Sequence, residues 1–145
     1  MSAKKGITPI ISIIILLLIT VGLAASAWTY MSNYMTTLTA KAIEIPTQQC
    51  IQGEKAMAIV HNIGTSSILV GGAKSDIIIM NSSGSSIQGT WTDLQDNPLT
   101  NITSGGYGKV VIGTCCSGDE CPKTCSYNFI VGGRSYTVSV YCPGA

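Results

Sequence analysis

Residues 9–27, PIISIIILLLITVGLAASA, are almost wholly apolar, and the reading of that stretch decides the fold. About 20 apolar residues in a helix cross a bilayer core of roughly 30 Å. The uncharged region is wider than the stretch itself, since no Lys, Arg, Asp or Glu occurs from Gly6 to Ala40. Lys4 and Lys5 precede it, and the positive-inside rule keeps such a basic pair in the cytoplasm and places the rest of the chain outside. A secretory signal peptide is one reading, with Ala25-Ser26-Ala27 as the cleavage site. A signal peptide's apolar region usually runs about 7–15 residues, however, and this one is longer. A plain single-span anchor is another.

The residues that follow support a third reading. Trp28, Met31, Met35, Leu38 and Ala42 recur at spacings of three and four, and Thr29, Ser32, Asn33, Thr36, Thr37 and Lys41 fill the other faces. That periodicity predicts an amphipathic helix continuing out of the membrane segment. It is expected to stop before Pro46, because the residue preceding a proline disfavours helix. Its apolar stripe equally fits an ordinary core helix of the downstream domain. Gly22 lies inside the helix, where glycine costs about 1 kcal/mol relative to alanine; close approach of another helix is the favoured reason for it.

The run Lys4-Lys5-Gly6-Ile7-Thr8-Pro9-Ile10-Ile11, followed by a long Ile/Leu/Val/Ala helix, resembles the N-terminus of archaeal type IV pilins and the related archaellins. Bacterial relatives carry a Glu where Ile11 stands, and the archaeal kind usually does not. The resemblance implies cleavage by a prepilin peptidase between Gly6 and Ile7, with Lys5 beside the cut. It divides the chain into a leader (1–6), a hydrophobic helix (7–45) and a head (46–145). It also implies a filament-core face of Ile10, Ile14, Leu17, Val21, Ala24, Trp28, Met31, Met35 and Leu38, packing against identical subunits in a helical homopolymer. The precursor would sit in the membrane and the mature protein in an extracellular surface filament. The expected fold class is α+β, a long N-terminal hydrophobic helix followed by an all-β, Ig-like sandwich head.

The head has its own pattern. Lys55–His61, Ser67–Val70, Ser75–Met80, Ser86–Thr92, Tyr107–Thr114, Tyr127–Val131 and Ser135–Tyr141 read as strands, separated by turn-forming residues such as Gly71-Gly72 and Gly132-Gly133. The second pair predicts a tight hairpin. On the last strand Tyr136, Val138, Val140 and Cys142 alternate with Ser135, Thr137, Ser139 and Tyr141, one buried face and one wet face. Ile77-Ile78-Ile79 predicts a strand covered on both sides, with the Trp28–Ala42 stripe as a candidate cover. About seven short strands with frequent turns fit an Ig-like sandwich. Residues 41–145 carry 6 basic and 7 acidic side chains against 12 Ser and 9 Thr, so hydroxyls replace charges as the polar surface. The whole chain has a net charge of +1, without the clustered Lys and Arg that grip nucleic acid.

Cys50, Cys115, Cys116, Cys121, Cys125 and Cys142 all fall on the outer side, where disulfides form and persist. Six cysteines allow 15 pairings. Adjacent Cys115 and Cys116 are not expected to pair with each other, because the geometry is strained. The 115–125 loop is expected to be stapled internally and also to a terminal cysteine, Cys50 or Cys142. A metal site is the rival reading, but C-C-x4-C-x3-C does not match the paired C-x2-C of structural zinc. Asn81-Ser82-Ser83 and Asn101-Ile102-Thr103 are N-glycosylation sequons. Gly71-Gly72-Ala73-Lys74-Ser75 lacks the glycine spacing of a phosphate loop. His61, the one histidine, sits in strand-like sequence and reads as structural. Asp93, Asp96, Asp119 and Glu120 read as solvated loop charges. These residues predict no enzyme and no cofactor. The expected function is a structural pilin subunit, and the alternative is a membrane-anchored or secreted β-sandwich binding protein that does not polymerise.

Overall fold

The computed structural model describes residues 7–145, in two compact units that divide between Thr37 and Leu38. The chain is a long N-terminal apolar helix followed by an all-β domain of antiparallel sheets. Helix α1 spans Ile7–Ala40, 34 residues, or about 51 Å at 1.5 Å per residue. Its residues from Thr8 to Thr37 are exposed on every face, including the almost wholly apolar stretch 9–27.

The helix ends at Ala40, not at residue 45, and Pro46 is not what stops it. Residues 43–45 open the first strand instead, with Ile43 buried in the core. The strands are β1 (Ile43–Ile51), β2 (Lys55–Asn62), β3 (Ile68–Leu69), β4 (Ile78–Asn81), β5 (Ser86–Ile87), β6 (Thr90–Thr92), β7 (Asn101–Ile102), β8 (Tyr107–Thr114), β9 (Lys123–Val131) and β10 (Arg134–Cys142). One sheet has the order β1-β2-β8-β6 and the other β10-β9-β4-β5, while β3 and β7 form a small third pair. β1 is therefore an edge strand. Its register with β2 shifts between Glu44 and Thr47, so Pro46, which has no N–H to give, sits in a bulge at a sheet edge, the place strands tolerate proline.

The two large sheets face each other across one core. Val60, Val110, Phe129, Val138 and Val140 are buried in it. The alternation expected for β10 holds, with Val138, Val140 and Cys142 inward and Thr137, Ser139 and Tyr141 outward. The Ser86–Thr92 stretch is not a single strand. It leaves one sheet after Ile87 and joins the other at Thr90, forming a corner between the sheets. The Ile77–Ile79 run also differs from expectation. Ile77 and Ile79 are buried but Ile78 is 46% exposed, so the run alternates like any strand and is covered on one side.

All six cysteines are paired, as Cys50–Cys142, Cys115–Cys125 and Cys116–Cys121. The loop is stapled internally twice, but not to a terminal cysteine. The two terminal cysteines bond each other, because the end of β1 and the end of β10 lie side by side across the two sheets. Their Cα atoms are 5.2 Å apart.

Candidate functional site: the apolar helix and its junction

From Thr8 to Ala40, 33 residues, α1 is long and apolar enough to cross a membrane. Length and composition alone give that result, and signal sequences share it. The polar side chains inside the helix are disarmed locally. Ser12 Oγ donates to the Thr8 carbonyl at 2.9 Å, Thr20 Oγ1 to Leu17 at 2.9 Å, and Ser26 Oγ to Gly22 and Leu23 at 3.0 Å. Thr29, Thr36 and Thr37 bond back in the same way to Ser26, Asn33 and Tyr34. Such bonds back to the preceding turn are open to Ser and Thr, and they leave these hydroxyls with a partner even where no water is present. Trp28, Tyr30 and Tyr34 are 73%, 78% and 57% exposed. They stand 19 or more residues beyond Pro9, about 30 Å along the axis, the depth at which amphipathic rings gather at membrane–water boundaries. A side chain added at Gly22 would meet nothing in this chain. Ile10, Ile14, Leu17, Val21, Ala24, Met31 and Met35 are exposed, and Leu38 is half-buried. Lys5 and Gly6 of the expected cleavage site lie outside the described residues; Ile7 begins the helix.

The last turn of α1 belongs to the head. A helix end leaves its final carbonyls without partners, and here a single loop supplies them. The Thr65 N–H donates to Thr39 O at 3.3 Å and the Ser66 N–H to Ala40 O at 2.9 Å, while Ile63 and Gly64 both donate to Ala42 O. Only glycine fits at 64, since a Cβ there would lie 2.5 Å from the Ala40 carbonyl oxygen. Asn62 holds the loop in shape. It is fully buried, its Nδ2 donates to the Ser66 and Ile102 carbonyls at 2.9 and 3.0 Å, and its Oδ1 accepts from the Gly64 N–H at 3.0 Å. The Gly132-Gly133 turn of the β9–β10 hairpin, both residues with positive φ as expected, packs against the Lys41 carbonyl.

Lys41 is the first charge after the uncharged helix, and its Nζ donates to Asp76 Oδ1 at 2.5 Å. Asp76 Oδ2 accepts from the Leu69 N–H at 2.9 Å. Partial burial alone would raise the Asp76 pKa. The Lys41 and Leu69 hydrogen bonds and the Lys41 charge outweigh it and hold the carboxyl below its ordinary value. Burial pushes the Tyr127 phenol up.

The remaining sequence candidates scatter over the head. His61 stacks on Tyr107, with centroids 4.3 Å apart, and its Nδ1 lies 3.7 Å from Glu44 Oε2, a cross-strand row on the outer face of one sheet. Asp93 closes its own loop by accepting from the Asn97 and Gln95 N–H groups and from Asn97 Nδ2, which lowers its pKa. Asp96 pairs with Lys109. Asp119 and Glu120 sit in an exposed 3-10 turn. Among the described residues no three His, Cys, Asp or Glu side chains gather as metal ligands would. The two sequons differ in setting. Asn81 ends β4, and its Oδ1 accepts from Ser83 Oγ at 2.6 Å and from the Ser83 and Ser85 N–H groups. Asn101 opens β7 and is exposed. The junction was not visible in the sequence; an Asn-x-Gly two residues after an apolar strand end, Asn62-Ile63-Gly64, was its one trace.

No family model matches the chain, and no curated protein does. Two solved structures are similar to it. One is the archaellum periplasmic stator protein FlaG from Sulfolobus acidocaldarius, 17% identical, covering 70% of this chain and 98% of that one with a TM-score of 0.47. The other is the complex of the archaellum periplasmic stator proteins FlaF and FlaG from the same organism, 17% identical, covering 68% and 86% with a TM-score of 0.40. Likeness at this level says nothing of what the present chain does.

Proposed function

We propose that the chain is a structural subunit, a pilin, of an extracellular archaeal type IV pilus or pilus-like filament. In this reading a prepilin peptidase removes residues 1–6, and the helix then passes from the membrane into a filament core of identical helices. The role is structural and not catalytic. The observation that carries the reading is α1 itself: uncharged from end to end, exposed around its circumference from Thr8 to Thr37, with the Ser12, Thr20 and Ser26 hydroxyls of its apolar stretch bonded internally. A helix apolar on all sides must be covered by lipid or by other helices. Both are similar solvents for Ile and Leu, so the exchange between them is not prohibitive. Cleavage after Gly6 also removes Lys4 and Lys5, two charges that a core of packed helices could not hold.

The Trp28, Tyr30 and Tyr34 group favours a second reading, a head anchored permanently in the membrane without polymerising. N-terminal sequencing of the protein from cells, together with its distribution between sheared filaments and membranes, separates the two. A start at Ile7 and recovery in sheared filaments is the expected result. A retained Met1 in the membrane fraction selects the anchor, and a start at Trp28 selects ordinary secretion; either one overturns the pilin.

A further inference from the structure

The two large sheets have four edge strands, β1 and β6 in one and β10 and β5 in the other. Three of them are blunted. β1 is bulged at Pro46. β5 is two residues long. β6 is three, and the 97–99 segment lies against it, with the Leu99 N–H donating to the Trp91 carbonyl. β10 has none of these protections. It runs nine residues in unbroken register with β9. Its Ser135–Tyr141 stretch holds no proline and no charge, and is rich in β-branched and aromatic residues, which favour strand.

The hairpin decides which backbone groups of β10 face outward. Val131 and Arg134 close a two-residue turn of two glycines with positive φ, the kind whose closing pair is hydrogen-bonded. Arg134, Tyr136, Val138, Val140 and Cys142 therefore bond to β9. Ser135, Thr137, Ser139 and Tyr141 turn their N–H and C=O groups away from it, and all four are exposed. β1 lies beside β10 in the other sheet and is bridged to it at Cys50–Cys142, but among the described residues it gives β10 no backbone bond.

We infer that this edge pairs with the β10 edge of a second copy, antiparallel about a two-fold axis at Val138. The row is complementary to itself. Ser135 faces the partner's Tyr141 and Thr137 the partner's Ser139, so every outward residue meets an outward residue. Each such pair exchanges two bonds, about eight in all, close to the roughly ten direct bonds of a specific interface. No charge meets its own copy near the axis. Arg134, which has no ion pair among the described residues, comes beside the Cys142 end of the partner's head. At that end Glu54, Asp119 and Glu120 outnumber Lys55 and Lys123. The pairing inverts one head relative to the other. The Lys41 carbonyl packs on Gly132 at the start of β10, so the two junctions with α1 come to opposite ends of the joined sheet. Parallel pairing in register fails, because identical outward groups would face each other where a parallel ladder needs them staggered. The edge thus joins heads rooted in two facing surfaces, not neighbours rooted in one. The inference rests on the head alone and holds for a pilin or an anchored head.

Vesicles of phosphatidylcholine carrying the 145-residue chain test it, with dynamic light scattering as the readout. They should cluster as protein density rises, since many weak contacts act together, and their apparent diameter should grow several-fold. Ser139→Pro removes an outward N–H that the fold does not use, and edge strands accept proline at such positions. It should abolish clustering and leave the near-UV circular dichroism unchanged. If that variant does not fold, Ser139→Lys, which sets a charge on the edge, should abolish clustering in its place. Wild-type vesicles that stay dispersed at high density overturn the inference, and so does clustering that survives in a folded variant. Neither outcome bears on residues 1–6, so N-terminal sequencing decides the pilin reading independently.

Discussion

Asn62 is the one fully buried polar side chain in the head, and its position explains its cost of removal. Truncating it strands the carbonyls of Ser66 and Ile102 and frees the loop that caps α1. Unsatisfied buried groups cost about 1–3 kcal/mol each, so Asn62→Ala should destabilise the head by about 2–4 kcal/mol, read from the urea midpoint by near-UV circular dichroism. Asp76 makes a pH-dependent contribution. Its folded pKa lies below the ordinary value of 3.8, so the stabilisation is complete above that value and fades as pH falls through the folded one. Asp76→Asn should therefore cost a constant amount at pH 6–8, about 1 kcal/mol or less for so exposed a pair. The gap from wild type should close below about pH 4. A gap that persists at pH 2.5 would show that the side chain acts through packing and not through charge.

At the scale of the element, α1 makes the simplest prediction. Val21→Lys places a charge in the middle of a span with no other, costing about 2.5–3.5 kcal/mol on insertion scales. Carbonate extraction of membranes should show the variant shifted toward the soluble fraction, while Ser32→Lys, near the aromatic group, should insert normally. The helix was legible because its signal is long and uniform. Its end was not. The stripe of Trp28 to Ala42 and the proline at 46 both suggested a longer helix, but the Ile63–Ser66 loop captures the helix carbonyls of Thr39 and Ala40 and that of Ala42 just beyond, a long-range contact that no local window contains. β2, β8 and β10 were read nearly to the residue, since β8 and β10 alternate over eight or nine positions and β2 is a continuous apolar run from Ala56 to Val60. β1 was missed because Pro46 and Gln48-Gln49 hide its alternation, and β7 because two residues carry no period. Likewise the cysteines were legible as disulfides, but their pairing depended on β1 and β10 closing the same side of the sandwich.

For the whole molecule, the three bridges differ in how much chain they close. Cys50–Cys142 spans 92 residues, whereas the loop bridges span 10 and 5. Chain entropy assigns roughly 4–5 kcal/mol to the first and roughly 2–3 to each of the others. Cys50→Ala/Cys142→Ala should thus lower stability more than Cys116→Ala/Cys121→Ala does. Thiol titration of the denatured wild type should find no free thiol before reduction and six after it. Four or more free thiols without reductant would refute the network.

The bulge at Pro46 reaches beyond a single copy. Sheet edges recruit one another by matching rows of N–H and C=O groups, and proteins held close together are the most exposed to it. β1 offers an edge distorted by a bulge, on a strand that carries a proline without an N–H and is already bridged to the opposite sheet. Copies concentrated along a fibre or in a membrane patch would be blocked from zipping strand to strand there, which leaves contact at that edge to side chains, where it can be specific and reversible instead of amyloid-like.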